Sequence, residues 1–134
     1  MSLFVDTSVW SLALRRDRPG GQAEVAMLAR ALEAGDTLLT TGLVLQELLQ
    51  GFAPRSRSPI VERFSALPLI VPDRTDHIDA AELRNRCRRR GVQIGTIDAL
   101  LAQLCIRHDA TMLTADQDFT RIAEHSGLKL WPQG

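Results

Sequence analysis

Short apolar runs that alternate with segments of helical spacing constrain the fold of this chain more than any other feature. The runs are short enough for buried strands, and the segments between them carry apolar residues three and four positions apart. The predicted strands are Leu3–Val5, Thr37–Thr41, Leu69–Val71, Thr111–Thr114 and Leu128–Leu130. Strands that alternate with helices join through right-handed crossovers into a parallel sheet. The order therefore predicts an α/β fold of three layers, α/β/α, with a central parallel sheet of about five strands.

The predicted helices fill the intervals between these strands. The first follows Asp6, with Thr7 or Ser8 as its expected N-cap. The others are expected at residues 22–34, 42–51, 59–67, 76–90, 96–108 and 119–125. In the helix at 76–90, Ile78, Ala81 and Cys87 are predicted to point inward. No repeat or low-complexity linker interrupts the 134 residues, so we expect a single domain, 1–134.

Composition narrows the class of protein. Hydrophobic residues make up 45% and charged residues 24%, which is typical of a soluble globular domain. No apolar run reaches the roughly 18 residues that a membrane helix needs, and the first strand begins without a signal-peptide pattern, so a cytoplasmic location is expected. Cys87 and Cys105 lack the paired spacing of a metal site or a disulfide framework.

Basic residues are unevenly distributed although the net charge is zero. Of the sixteen, fifteen are Arg and one is Lys, a bias that suits bidentate phosphate contact and is equally typical of a GC-rich genome. Five Arg fall within residues 84–90. One interpretation is contact with nucleic-acid phosphates through Arg84, Arg88 and Arg89. The other is a solvated helix end whose cations favour the helix dipole.

Four acidic residues differ from the others in their surroundings. Asp6 and Asp116 follow predicted strands. Asp98 lies in the first turn of a predicted helix, and Glu47 lies beside an apolar helical stripe. No basic residue stands three or four positions from Glu47 or Asp98, whereas Glu82 has Arg86 four positions on. Acids in apolar surroundings are costly unless something neutralises them, and carboxylates are the ligands of hard divalent cations. Each acid also has a simpler interpretation, such as a helix cap or a favourable charge at a helix N-terminus.

These residues carry a family resemblance. The chain resembles a PIN-domain ribonuclease of the VapC type, the toxin of VapBC toxin–antitoxin pairs. The matching pieces occur in order along nearly the whole chain: LFVDTSVW at 3–10, LVLQELLQG at 43–51, GTIDAL at 95–100 and LTADQDF at 113–119. Each piece alone is weakly specific, but the ordered set is characteristic.

The resemblance implies a Mg²⁺- or Mn²⁺-dependent endoribonuclease, a hydrolase of phosphodiester bonds. Asp6 and Asp98 would be the principal metal ligands, Glu47 and Asp116 would complete the acidic pocket, Asp118 would be a weaker ligand, and Thr114 would orient a water or an acid. It also implies an RNA substrate (tRNA, rRNA or mRNA), products with 5′-phosphate and 3′-hydroxyl ends, a homodimer, and a cognate antitoxin that covers the site. From the residues alone, Asp118 is expected as the N-cap of the helix after it rather than as a metal ligand.

Other functions are compatible with the same sequence features. A non-catalytic binding module with the same fold would not need all four acids, and a DNA structure-specific nuclease would use the same ones. A receiver-like phosphoacceptor needs a Lys beside its acids, and the one Lys, Lys129, lies in the last predicted strand. No Gly-rich phosphate-binding loop of the kind found in nucleotide-binding folds is present in the sequence.

Overall fold

A computed structural model describes residues 2–15 and 22–132. Five parallel strands form the sheet in the order β3-β2-β1-β4-β5, with helices on both sides, as the alternating pattern predicts. The strands are β1 (Ser2–Val5), β2 (Thr37–Thr41), β3 (Leu69–Ile70), β4 (Thr111–Leu113) and β5 (Lys129–Leu130). The helices are α1 (Thr7–Leu14), α2 (Gln22–Ala34), α3 (Gly42–Gly51), α4 (Arg57–Phe64), α5 (Arg74–Arg89), α6 (Thr96–Arg107) and α7 (Gln117–Glu124), with a short 3₁₀ turn at Pro54–Ser56. The polar, turn-rich sequence RRDRPGG at 15–21 predicts a loop, and it lies outside the described residues except for Arg15.

The strand order reverses direction at β1. From β1 the chain moves to β2 and then β3, and it later returns to the other side of β1 to form β4 and β5. In open parallel sheets, such a reversal leaves a crevice beyond the carboxyl ends of the strands, where ligands bind. Asp6 follows β1 and Thr114 follows β4, so the two neighbouring strands end in polar residues at this crevice.

The chain is divided into two compact units. Unit 1 comprises Met1–Val71 with Leu113–Ala115, and unit 2 comprises Pro72–Met112 with Asp116–Gly134. In unit 1, α1 packs against α2 and α3, and Trp10 meets Phe64 with ring centroids 4.9 Å apart. Leu3, Phe4 and Val5 are fully buried, which explains the continuous apolar run of β1.

Unit 2 is built around the pairing of α5 with α6. Leu83 and Cys87 of α5 and Leu104 of α6 are buried, but Ile78 is 53% exposed and Ala81 is exposed, so the inward face predicted for α5 was wrong at these two positions. The inward stripe instead runs through Ala80, three positions before Leu83. Among the helices of residues 2–15 and 22–132, none combines the length and apolar character needed to cross a lipid bilayer.

Candidate functional site

Asp6 ends the buried strand β1 and stands immediately before α1. Its backbone is extended, and it occupies the N-cap position of α1, but its side chain makes no capping hydrogen bond. Thr7 and Ser8 are already helical, so the prediction that one of them caps α1 was wrong. Asp6 is only 5% exposed, and its carboxylate accepts hydrogen bonds from two hydroxyl groups instead. A buried carboxylate needs such donors, because an unsatisfied one would be costly.

The two hydroxyl donors come from opposite ends of the sequence. Ser8 Oγ donates to Oδ1 of Asp6 at 2.6 Å, and Thr114 Oγ1 donates to Oδ2 at 2.9 Å. The backbone reinforces the contact, since Asp6 N–H donates to the carbonyl of Leu113 at 3.1 Å. The structure therefore brings Asp6 and Thr114 together, as expected for residues that follow neighbouring parallel strands.

Glu47 lies on α3 in the same unit. Its Oε1 accepts a hydrogen bond from Thr7 Oγ1 at 3.0 Å. Thr7 follows Asp6 directly in the chain, so this bond links Glu47 to the start of α1. Glu47 is exposed rather than buried beside the apolar stripe. The argument that burial makes this acid costly therefore does not apply, although its carboxylate remains accessible to a ligand.

Three further carboxylates cluster in unit 2. Asp98 lies in the first turn of α6, Asp116 is the N-cap of α7, and Asp118 lies in the first turn of α7. One carboxylate oxygen from each lies within 4.8 Å of the other two. Asp116 caps α7 by accepting from the backbone N–H of Asp118 at 2.9 Å. The alternative that Asp118 is the cap was therefore wrong by two residues, and Asp118 instead contacts Arg121 at 3.2 Å.

The chemistry of this carboxylate cluster fits a hard divalent cation. Carboxylate oxygens are the ligands that Mg²⁺ and Mn²⁺ prefer, and Mg²⁺ sites typically use one or two carboxylates together with water and phosphate. Three carboxylate oxygens within 4.8 Å of one another are close enough together to be candidate ligands of one cation. Like charges this close repel one another, and a cation would relieve the repulsion.

The arginine-rich end of α5 is divided between two environments. Arg84 is half-buried, and its Nε donates to the carbonyl of Ile94 at 2.8 Å, which ties α5 to the segment before α6. Arg88 and Arg89 are exposed in the last turn of α5. The fold thus gives Arg84 a structural contact and leaves the other two at the surface, where contact with phosphate stays a prediction.

Among the described residues, the most deeply buried acid lies outside these groups and was not singled out by the sequence. Asp76 is fully buried near the start of α5 and forms a bidentate ion pair with Arg107 at the end of α6. Burial alone would raise the pKa of Asp76, but the Arg107 guanidinium and the backbone N–H of Asp73 outweigh it and hold the pKa below 3.8. This acid is structural, because its charge is matched by a cation and a helix cap.

Ser8 is the site residue that sequence reasoning missed. The signal was available, because a hydroxyl two positions after an acid at the N-cap position lies in the first turn beside it. What the pattern does not contain is the second contact, in which Ser8 Oγ accepts from the backbone N–H of Ala115 at 3.0 Å. That contact spans 107 positions of the chain.

Several known proteins are similar to this chain in sequence or in fold. The PIN domain family model matches residues 3–125. Ribonuclease VapC23 of Mycobacterium tuberculosis is 32% identical, over 75% of this chain and 95% of its own length. Ribonuclease VapC11 of the same species is 31% identical, over 95% of this chain and 96% of its own length.

Solved structures share the fold. One is VapBC2 from Rickettsia felis bound to a promoter DNA fragment, with a TM-score of 0.73 and 24% identity over 97% of both chains. Another is VapBC-1 from nontypeable Haemophilus influenzae, with a TM-score of 0.74 and 20% identity over 97% of this chain and 96% of that one. With a family model that covers most of the chain and VapC relatives above 30% identity, the chain belongs to the PIN-domain family, in its VapC branch.

Proposed function

We propose that this chain is a metal-dependent endoribonuclease that acts as the toxin of a toxin–antitoxin pair. The observation that carries the proposal is the cluster of Asp98, Asp116 and Asp118 in a chain whose relatives are named VapC ribonucleases. An acidic cluster alone is common on protein surfaces. In this family context it is the expected position of a catalytic cation.

The proposed site includes the acids that follow β1 and lie on α3 as well as the carboxylate cluster of α6 and α7. Asp6 and Asp98 act as principal ligands of Mg²⁺ or Mn²⁺, Glu47 and Asp116 complete the acidic pocket, and Asp118 contributes more weakly. The support is chemical, since all five offer carboxylate oxygen, and positional, since each falls in a motif shared with the family. The same reasoning treats residues 1–134 as one domain, because one family model spans 3–125.

The chain's own residues perform distinct tasks in the proposed reaction. When bound, a divalent cation lowers the pKa of water and neutralises the negative charge that develops on a phosphodiester. Thr114 keeps the Asp6 carboxylate oriented through its 2.9 Å hydrogen bond, and Thr7 does the same for Glu47 at 3.0 Å. The oxygen of water would bond to phosphorus as the bond from phosphorus to the 3′-oxygen breaks, and a proton from that water would end on the leaving oxygen, which gives 5′-phosphate and 3′-hydroxyl ends.

Arginine contacts would offset the repulsion between the acids and the RNA backbone. We assign this task to Arg88 and Arg89, which are exposed, and to the terminal nitrogens of Arg84, whose Nε is bonded to Ile94. Each phosphate contact adds to affinity and to its dependence on salt. The relatives solved as VapBC complexes support a cognate antitoxin as the second partner. A homodimer acting in the cytoplasm on tRNA, rRNA or mRNA completes the proposal.

Asp98→Asn tests this function. The variant keeps the size of the side chain and removes one negative charge from the carboxylate cluster. We expect cleavage of a tRNA and rRNA mixture with Mn²⁺ to fall by about 100-fold or more, because even outer-shell partners of metal ligands typically cost about 10–100-fold. Growth inhibition on expression should be lost as well. Circular dichroism checks that the fold is intact.

Glu124→Gln is the matched control, since Glu124 is an exposed acid at the far end of α7. It should cleave as wild type does, and EDTA should abolish cleavage by both. Asp98→Asn activity equal to that of wild type would refute the assignment. A wild-type protein that cuts structured DNA but no RNA would favour the DNA nuclease. A protein that cuts neither but binds an antitoxin would favour the non-catalytic module.

A further inference from the structure

Ser8 occupies a bridging position in unit 1. Its Oγ donates to Asp6 Oδ1 at 2.6 Å and accepts from the backbone N–H of Ala115 at 3.0 Å. Thr114, the residue before Ala115, donates to the other oxygen of the same carboxylate. The contacts form a closed ring that runs from Asp6 through Ser8 to Ala115, along the chain to Thr114, and back to Asp6.

Proton accounting fixes the direction of every bond in this ring. A serine or threonine hydroxyl has one proton to donate, and an ionised carboxylate only accepts. The Ser8 proton therefore lies on Oδ1 of Asp6, and the Thr114 proton lies on Oδ2. The two hydroxyl oxygens lie 3.5 Å apart. The Asp6 carboxylate group cannot rotate without breaking one of these two hydrogen bonds.

We propose that Ser8 is a positioning residue that presents the Asp6 carboxylate to a divalent cation. Each carboxylate oxygen offers about two lone-pair directions, and a hydroxyl donor on each oxygen fixes the plane of the Asp6 carboxylate. Partners of this kind orient metal ligands, and their loss typically weakens metal affinity by about 10–100-fold. The inference rests on the proposed function only in taking Asp6 as a metal ligand.

A purely structural role would give a different result. Ser8 is half-buried, and the contact between its Oγ and Ala115 N–H lies at an exposed position, so water can replace the hydroxyl there. Loss of the hydroxyl still takes one donor from the buried Asp6 carboxylate, so the thermal midpoint should fall in either case, and a purely structural role would change the midpoint alone. Metal affinity, in contrast, depends on the orientation of the carboxylate and should change strongly.

The test is a titration of the purified full chain with MnCl₂, in which free Mn²⁺ is followed by electron paramagnetic resonance. Ser8→Ala removes the hydroxyl, and Ser8→Thr keeps it. Ser11→Ala is the matched control, because Ser11 lies in the same helix and its hydroxyl accepts from Arg15 Nε at 3.1 Å. We expect Ser8→Ala to weaken Mn²⁺ binding by about tenfold or more, while Ser8→Thr and Ser11→Ala stay within about threefold of wild type.

Every result decides the inference. Mn²⁺ affinity of Ser8→Ala within about twofold of wild type overturns it, and so does a Ser8→Thr variant as weak as Ser8→Ala, because the hydroxyl would then not be the cause. Absence of Mn²⁺ binding by wild type overturns it as well. If Ser8→Ala does not fold by circular dichroism, Ser8→Cys replaces it under the same thresholds. A wild type that binds Mn²⁺ but cuts no RNA refutes the proposed function while the affinities still decide the role of Ser8.

Discussion

Asp76→Asn measures how strongly unit 2 depends on one buried carboxylate. Asp76 Oδ1 lies 2.5 Å from Arg107 Nε, and Oδ2 lies 2.8 Å from Arg107 Nη2 and 2.9 Å from the backbone N–H of Asp73. An asparagine has one oxygen acceptor in place of two and carries an NH₂ group that meets a donor wherever it points. The variant therefore loses at least one of these bonds and the charge that strengthened all of them.

The expected loss of stability depends on how deeply each partner of the Asp76–Arg107 ion pair is buried. Removal of one partner from a fully buried pair typically costs about 3–5 kcal/mol. Here the Asp76 side chain is 0% exposed but the Arg107 side chain is 40% exposed, so the guanidinium left behind stays hydrated. Hydrogen bonds to charged groups contribute about 1.5–3 kcal/mol. We therefore expect the free energy of unfolding to fall by about 2–3 kcal/mol.

Asp109→Asn provides a matched control. It is the same substitution, and it breaks the 2.6 Å contact between Asp109 and Lys129, but the Asp109 side chain is 88% exposed. Asp109 has a φ of 52°, which asparagine tolerates as well as aspartate does. Urea unfolding at pH 7 should show a loss below about 0.5 kcal/mol for this surface pair. Equal losses for the two variants would refute the argument from burial.

The pH dependence supplies a second readout. Since the pKa of Asp76 is held below its ordinary value of 3.8, its stabilisation is complete above that value and is lost as the pH falls through the lower pKa of the folded state. The difference between wild type and Asp76→Asn should therefore stay constant from pH 7 to about pH 5 and shrink below about pH 3.8. A difference that shrinks as the pH rises from 5 to 7 would contradict the assigned cause.

Two further predictions concern buried groups away from the site. Thr40 is fully buried, and its Oγ1 has no hydrogen-bond partner among the described residues, so Thr40→Val should leave urea stability unchanged or raise it by up to about 1 kcal/mol. A loss above that amount would show that the hydroxyl is bonded. Cys87 and Cys105 are both buried, and burial raises the pKa of the Cys87 thiol. A thiol reagent such as DTNB at pH 7.5 should therefore label neither residue until urea unfolds the chain, and rapid labelling of the folded protein would contradict this.

The elements of this fold were predictable because each strand is short, apolar and bounded by polar residues. Helix starts were less predictable, since they depend on caps rather than on apolar spacing. The helix expected from Asp76 begins at Arg74, because Asp73 and Asp76 exchange hydrogen bonds in a capping box that precedes the apolar stripe. Ile78 is exposed because the stripe on α5 passes through Ala80 and Leu83 instead.

Parts of the candidate site could be predicted for the same reason that the sheet could. Residues that follow strands lie at one edge of a parallel sheet, and Asp6 and Thr114 meet there. Burial could not be predicted residue by residue. Glu47 is exposed, whereas the fully buried acid is Asp76, whose partner Arg107 lies 31 positions away. A pairing of that range leaves no trace in helical spacing.

The contrast between Asp76 and Asp6 connects folding to function. Both carboxylates are buried and both are satisfied, but Asp76 bonds to a guanidinium, whereas Asp6 accepts from the hydroxyls of Ser8 and Thr114. A guanidinium cancels charge, whereas a hydroxyl fixes orientation and carries no charge of its own. Because Ser8 precedes Thr114 by 106 positions, this hydroxyl pair forms only when β1 and β4 are neighbours. The strand order of the sheet therefore also orients the Asp6 carboxylate, so the metal binding proposed for Asp6 would require a folded sheet.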